Sequence, residues 1–72
     1  ICHGPWLLIS VGLVQGRRAT GSLGIKDDLE NAGAVWVDES AFVDGQLVWG
    51  RVVADIPNFC GALVTRLREY AT

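Results

Sequence analysis

Ile1-Cys2-His3-Gly4-Pro5-Trp6 opens the chain, and the reading of these residues decides the fold. A thiol stands beside an imidazole, followed by a Gly-Pro pair. Pro fits the first turn of a helix, where its missing N–H costs nothing. Beyond it, Trp6, Leu7, Leu8, Ile9, Val11, Leu13 and Val14 are apolar nearly all round, the mark of a helix buried on several sides. Gly16 suits the position just past a helix end, so the pattern predicts a helix over Pro5–Gln15. In a βα unit, a helix packs on the strand that feeds it. Ile1 reads as the last residue of such a strand, which makes this stretch the middle of a domain, cut just before Ile1.

Working outward, Arg17 and Arg18 begin a short strand running to about Thr20. Gly21-Ser22-Leu23-Gly24 is a loop by composition. In Ile25 to Gly33, the residues Ile25, Leu29 and Ala32 share one helical face, and Gly33 marks a second helix end. Asp27 and Asp28 suit the positive end of that helix. Val35-Trp36-Val37 reads as a strand. Ala41-Phe42-Val43 and Leu47-Val48-Trp49 flank Asp44-Gly45, a strong hairpin signal. Ile56, Phe59, Cys60, Leu63, Val64, Leu67 and Tyr70 follow the spacing of an amphipathic helix. Asp55 is its expected N-cap, with Pro57 in the first turn. Arg66 and Arg68 lie near its C-terminus, where the helix dipole favours cations. The order helix, strand, helix, strand, hairpin, helix is α/β in character.

The chain has 72 residues, half of them hydrophobic and three of them Trp. A domain this small buries only about 60% of its unfolded surface. The apolar excess predicts contact with another chain or with a missing part of the same one. The net charge is −2, and the six Lys and Arg are scattered. No basic stripe with interleaved aromatics is present, so no nucleic-acid partner is expected. The apolar run Trp6 to Val14 is too short to span a bilayer and lacks the charged flank of a signal peptide. No membrane role is expected, and the two cysteines, 58 positions apart, read as free thiols of a cytoplasmic protein. One His and two distant Cys offer no close ligand pair, so no metal or other cofactor is expected.

The stretch "ICHGPWLLISVGLVQGRRAT" resembles the nucleophile region of the ThiJ/PfpI superfamily, above all its PfpI-like intracellular peptidase branch. The likeness continues through "GIKDDLENAGAVWVDE", "VDGQLV" and "ADIPNF", in the family's order and spacing. It implies a flavodoxin-like three-layer sandwich related to class I glutamine amidotransferases. The family's domain is more than twice this length, so residues 1–72 correspond to its C-terminal half, a partial α/β domain. The resemblance places Cys2 on the nucleophile, at the elbow between strand and helix. It places His3 on the adjacent histidine, proposed as the base, with the His3 backbone N–H in the oxyanion hole. Gly4 falls on the residue that lets the helix start close behind. The carboxylate completing the site comes from the upstream half or from a neighbouring subunit. The family usually reads Thr-Ser-Tyr-Pro where this chain has Thr20-Gly21-Ser22-Leu23, so its pocket Tyr is absent. It reads Ser-Arg-x-Pro-Ala-Asp where this chain has Gly50 to Asp55, keeping Arg51 and Asp55 but not the Ser and Pro.

The chemistry asks for a thiolate, and a free thiol has a pKa of about 8.5. A helix N-terminus and a nearby imidazolium both favour the anion. Each residue also has a plainer role open to it. Cys2 could be a small buried hydrophobe; His3 could be a surface or N-cap histidine. Whether the His3 ring reaches the sulfur depends on turn geometry. Cys60 reads as core, Asp27 and Asp28 as a solvated first turn, and the three Trp as core or interface aromatics. Arg51 could hold an anion or a subunit carboxylate, or be a solvated strand-end charge. Two functions follow. One is the nucleophile-bearing half of a cysteine hydrolase acting on a carbonyl or peptide substrate (peptidase, deglycase or glyoxalase type), inactive without its upstream half. The other is a non-catalytic stress-related or assembly module. Either would form a homo-oligomer or join the missing half, because the first helix would otherwise expose its apolar face.

Overall fold

The computed structural model describes residues 1–71. In chain order it contains α1 (Pro5–Ser10), β1 (Arg18–Ala19), a 3-10 turn (Leu23–Ile25), α2 (Lys26–Asn31), β2 (Val35–Trp36), β3 (Ala41–Asp44), β4 (Leu47–Gly50), a second 3-10 turn (Val53–Asp55) and α3 (Ile56–Ala71). β1 and β2 pair in parallel, Arg18 opposite Val35 and Ala19 opposite Trp36. Parallel neighbours need a crossover between them, and α2 supplies it. β3 and β4 form the predicted hairpin, in antiparallel register from Ala41 opposite Gly50 to Asp44 opposite Leu47. The α/β class expected from the element order is what the chain adopts.

Local chemistry explains the boundaries, including those that differ from expectation. α1 stops at Ser10 rather than Gln15. Gly12 takes φ 74°, its N–H bonds the Ile9 carbonyl, and the Leu13 N–H bonds that of Leu8. This is the Schellman arrangement, and Gly12 reaches it one turn before Gly16 could. Gly33, at φ 93°, ends α2 in the same way, with its own N–H on Glu30 and that of Ala34 on Leu29. The hairpin loop is Gly45-Gln46, one residue later than the Asp44-Gly45 pair. Asp44 is still in the ladder, and Gly45, at φ 63°, occupies the first central position of the turn.

The core comprises Val14, Ala19, Ile25, Leu29, Phe42 and Trp49, with Leu8, Ile9, Ala32, Ala34, Trp36, Val37 and Leu47 packed against it. Phe42 and Trp49 stack at 6.3 Å across the hairpin. Arg18 fastens the parallel pair to the hairpin. Its backbone N–H donates to Asp44 Oδ2 at 3.0 Å, its guanidinium to the Val43 carbonyl at 3.0 Å, and its charge lies over the Phe42 ring.

α3 carries the predicted apolar spacing but buries none of its residues fully. Phe59 and Leu63 are half-buried, and Phe59 lies so close to Gly50 that a Cβ there would stand 3.0 Å from the Phe59 side chain. Asn58 donates to Ser40 Oγ at 2.9 Å, and Arg66 to the Gly45 carbonyl at 3.3 Å. The hairpin covers only part of the stripe. Val64, Leu67 and Tyr70 stay exposed, and so does Cys60, which does not pack as core.

Candidate active site

The junction before α1 is a sharp turn. Cys2 has φ 57°, the one non-glycine residue with positive φ among those described. A side chain in that region is strained, and such strain survives only where neighbours enforce it. Three contacts enforce it here. The Cys2 N–H donates to the Arg51 carbonyl at 2.8 Å, the Ser22 N–H donates to the Cys2 carbonyl at 3.0 Å, and the Gly4 N–H closes back on the Ile1 carbonyl at 3.0 Å. The fit is tight against Gly21: a Cβ there would stand 2.8 Å from the Cys2 carbonyl oxygen and 3.0 Å from Ile25 Cδ1. Only glycine lets the loop after β1 approach the elbow so closely.

The turn brings Cys2 Sγ and His3 Nδ1 to 3.2 Å. Adjacent residues in regular structure point apart, so the left-handed backbone of Cys2 is what makes the thiol and the imidazole meet. Cys2 is half-buried and His3 is exposed. The expected set of unpaired helix N–H groups beneath the thiol takes a different form. The Gly4, Trp6 and Leu7 N–H groups close on Ile1, His3 and Gly4 carbonyls, and Pro5 has none. The His3 N–H makes no hydrogen bond among the described residues. It is the one free donor at the head of the turn.

Arg51 sits at the centre of a charged clamp. Its Nε and a second guanidinium nitrogen donate to the two Asp55 oxygens at 2.7 and 3.1 Å, and the remaining nitrogen reaches Asp38 Oδ1 at 2.9 Å. Asp55 is 6% exposed. Its carboxylate turns back to the Arg51 and Val52 N–H groups at 3.3 and 3.4 Å, so it anchors the 3-10 turn instead of capping α3. The bidentate hydrogen bonds from Arg51 hold the Asp55 carboxyl below its usual range. Burial opposes this, and the Val52 and Arg51 N–H groups assist it. The hydrogen bonds to Asp55 and then Asp38 in turn raise the Arg51 pKa. Neither open reading of Arg51 describes this: the guanidinium holds two carboxylates of its own chain. Its carbonyl meanwhile holds Cys2, so the clamp ties the ends of β2 and β4 to the elbow. Gly21, Leu23, Trp36, Asp38, Arg51 and Val52 line a cleft of about 230 Å³, and two of them touch Cys2.

Two residues gain roles that the sequence reading did not give them. Trp6 Nε1 donates to Asp28 Oδ2 at 2.9 Å, and the Trp6 ring meets the His3 ring edge-on, centroids 5.0 Å apart. The His3-to-Trp6 spacing of i, i+3 carries that signal; nothing in the sequence pairs Trp6 with Asp28. No group of three or more potential metal ligands occurs among the described residues, and none of their helices is long and apolar enough to cross a membrane.

The local geometry is thus a strained cysteine facing a histidine just before a helix, on an α/β frame. The sequence profile of the DJ-1/PfpI family matches residues 1–66, and the chain belongs to that family. It is 50% identical over 70 residues to a protein of Archaeoglobus fulgidus, covering 97% of this chain and 42% of that one. Over 56 residues it is 55% identical to a deglycase of Pyrococcus horikoshii and 48% identical to the deglycase PfpI of Pyrococcus furiosus, in each case covering 78% of this chain and 34% of the relative. A two-domain protein of Anabaena variabilis with DJ-1/ThiJ/PfpI-like and ferritin-like domains superposes with a TM-score of 0.88 at 44% identity, over 92% of this chain and 20% of its own. The architecture is therefore a portion of the flavodoxin-like fold that the resemblance implied. The chain spans well under half the length of these curated relatives.

Proposed function

We propose that Cys2 is the nucleophile of a PfpI-like cysteine enzyme of the deglycase type, acting on a carbonyl carbon. The observation that carries this reading is the 3.2 Å approach of Cys2 Sγ to His3 Nδ1 across a backbone held at φ 57°. In the first step the thiol proton passes to His3 Nδ1. The sulfur lone pair forms a C–S bond to the substrate carbonyl carbon, and the C=O π pair moves onto oxygen. The His3 N–H is placed to donate to that oxygen. The C=O re-forms as the bond from that carbon to the departing group breaks, and His3 gives its proton to that group. A water then adds to the same carbon and displaces the sulfur, which returns as the Cys2 thiol. Gly4 lets α1 begin immediately behind the elbow. The cleft beside Arg51 takes the remainder of the substrate. Ser22, which stands where the family has its pocket Tyr, accepts from the Gly24 N–H at 3.4 Å and leaves the space above the elbow open.

In this reading, residues 1–72 are part of one α/β domain. Completion comes from an upstream segment or a second copy, which also brings the site's carboxylate. The exposed apolar side chains of α1 and its following turn, Leu7 at 75% and Val11 at 66%, support a covering partner. The experiment is release of free amine from amino acids pre-treated with methylglyoxal, by the natural polypeptide that carries these residues. Cys2→Ser should abolish release, and His3→Ala should cut it by about 10²-fold or more. Undiminished release by Cys2→Ser overturns the proposal.

A further inference from the structure

Cys2 and His3 face each other, yet His3 is an exposed side chain with two free torsions, and a base must be aimed before it can act. What aims it lies outside the elbow. We infer that Trp6 and Asp28 are positioning residues for His3: Asp28 fixes the Trp6 indole through its N–H, and the indole, edge-on to the imidazole, keeps Nδ1 turned to the Cys2 sulfur. This inference rests on the proposed thiol chemistry for its consequence, though not for its geometry.

The chain of contacts is continuous. Leu29, fully buried, pins α2 to the core. Asp28, one residue earlier, stands at the start of α2 and accepts from Trp6 Nε1 at 2.9 Å. Trp6, on α1, lies three residues after His3, and their rings meet at 5.0 Å with planes 70° apart, a favoured aromatic geometry. His3 Nδ1 then lies 3.2 Å from Sγ. The opposite nitrogen, Nε2, faces the Gly24 backbone, where a Cβ would stand 3.7 Å away. His3 is therefore bordered by sulfur, indole and loop. The first and last are tied together by backbone hydrogen bonds, and the indole is held by a side-chain hydrogen bond to α2. Trp6 is itself 48% exposed. Its burial alone would not fix it, and the hydrogen bond to α2 does.

The test uses the natural polypeptide with Cys60→Ser as background. Cys2 alkylation by iodoacetamide is followed on its peptide by mass spectrometry, and the His3 ring protons by NMR, where the indole ring current displaces them. Asp28→Ala should slow Cys2 alkylation about two- to tenfold, the range an aromatic contact of ordinary strength controls, and return the His3 protons toward free-histidine shifts. Asp28→Asn keeps an oxygen acceptor for the indole N–H and should restore both. Trp6→Phe keeps a ring but loses the N–H. It should match Asp28→Ala, and combining the two should add nothing further. Unchanged His3 shifts and an unchanged Cys2 rate in Asp28→Ala overturn the inference. So does an Asp28→Asn variant that behaves like Asp28→Ala, because the carboxylate charge and not the hydrogen bond would then be at work. If Asp28→Ala does not fold, Asp28→Asn against Trp6→Phe decides by the same two readouts. If Cys2 of the unsubstituted protein reacts no faster than Cys60 of the wild-type chain, the proposed function fails. The His3 shifts then still judge the positioning.

Discussion

The two cysteines mark two regions built on opposite terms. Cys2 sits on an irregular elbow where several backbone hydrogen bonds, one glycine contact and a charged clamp hold a backbone that a side chain disfavours. Cys60 sits on α3, a regular 16-residue helix against a regular hairpin, exposed and without constraint. The hairpin and α3 are secured mainly by apolar contact, with Gly50 close against Phe59 and two side-chain hydrogen bonds beside it. The elbow is secured by shape, and small change there redirects the thiol. The proposed function puts the chemistry in the second kind of region, because a reactive side chain needs a fixed direction more than it needs burial.

The largest effect should come from the hairpin. Trp49 is 1% exposed and stacks on Phe42. Trp49→Ala should cost about 3–5 kcal/mol, read by urea denaturation. If the contrast holds, Cys2 alkylation in the fraction that remains folded is unchanged. A loss below about 1 kcal/mol would mean that the stack is not what secures this region.

Gly21→Ala probes the elbow by the same two readouts. The new Cβ would meet the Cys2 carbonyl at 2.8 Å and Ile25 at 3.0 Å, and overpacking of this kind costs about 1–3 kcal/mol. Here the thiol should respond beyond the stability loss, with Cys2 alkylation altered in the folded protein while Cys60 is untouched. Equal behaviour of both cysteines would erase the distinction between the regions.

The clamp between them should make stability depend on acid. The Asp55 carboxyl is held below its ordinary value of 3.8 by Arg51. A depressed folded pKa contributes stability that is fully present above the unfolded value and is lost as pH falls through the folded one. Unfolding free energy should therefore drop on acidification below about pH 4, and Asp55→Asn should flatten that drop. Arg51→Lys removes the bidentate geometry and should flatten it in part. A pH dependence identical in Asp55→Asn and the parent would show that the clamp does not couple to folding.

The same contrast explains what could be read from the sequence. The hairpin and α3 announce themselves by period, since alternation around Asp44-Gly45 and the stripe from Ile56 to Tyr70 each need only local geometry. The family and the Cys2 elbow are legible through a motif, Ile-Cys-His-Gly-Pro. The extent of α1 was not legible, because Val11 to Val14 are apolar whether helical or not, and Gly12 and Gly16 both offer an end. Carbonyls at Leu8 and Ile9 decide for Gly12. The Asp55 role and the Trp6–Asp28 bond join residues through three-dimensional approach, and no spacing rule encodes them. Cys60 lies outside the core, although its spacing predicts it there, because the apolar stripe of α3 is wider than the hairpin it covers.

The smallest effect should be Cys60→Ser. The side chain is exposed and meets no described partner, so stability should shift by less than about 0.5 kcal/mol. Its value lies in what it excludes. If α3 is free in solution, Cys60 alkylates as an ordinary exposed thiol in the natural polypeptide. If another segment or a second copy packs over Val64, Leu67 and Tyr70, Cys60 on the same helix becomes protected, and the serine variant loses more than this bound. A protected Cys60 would mean that α3 is an interface held by area, whereas the elbow is held by its hydrogen bonds to Arg51 and Ser22.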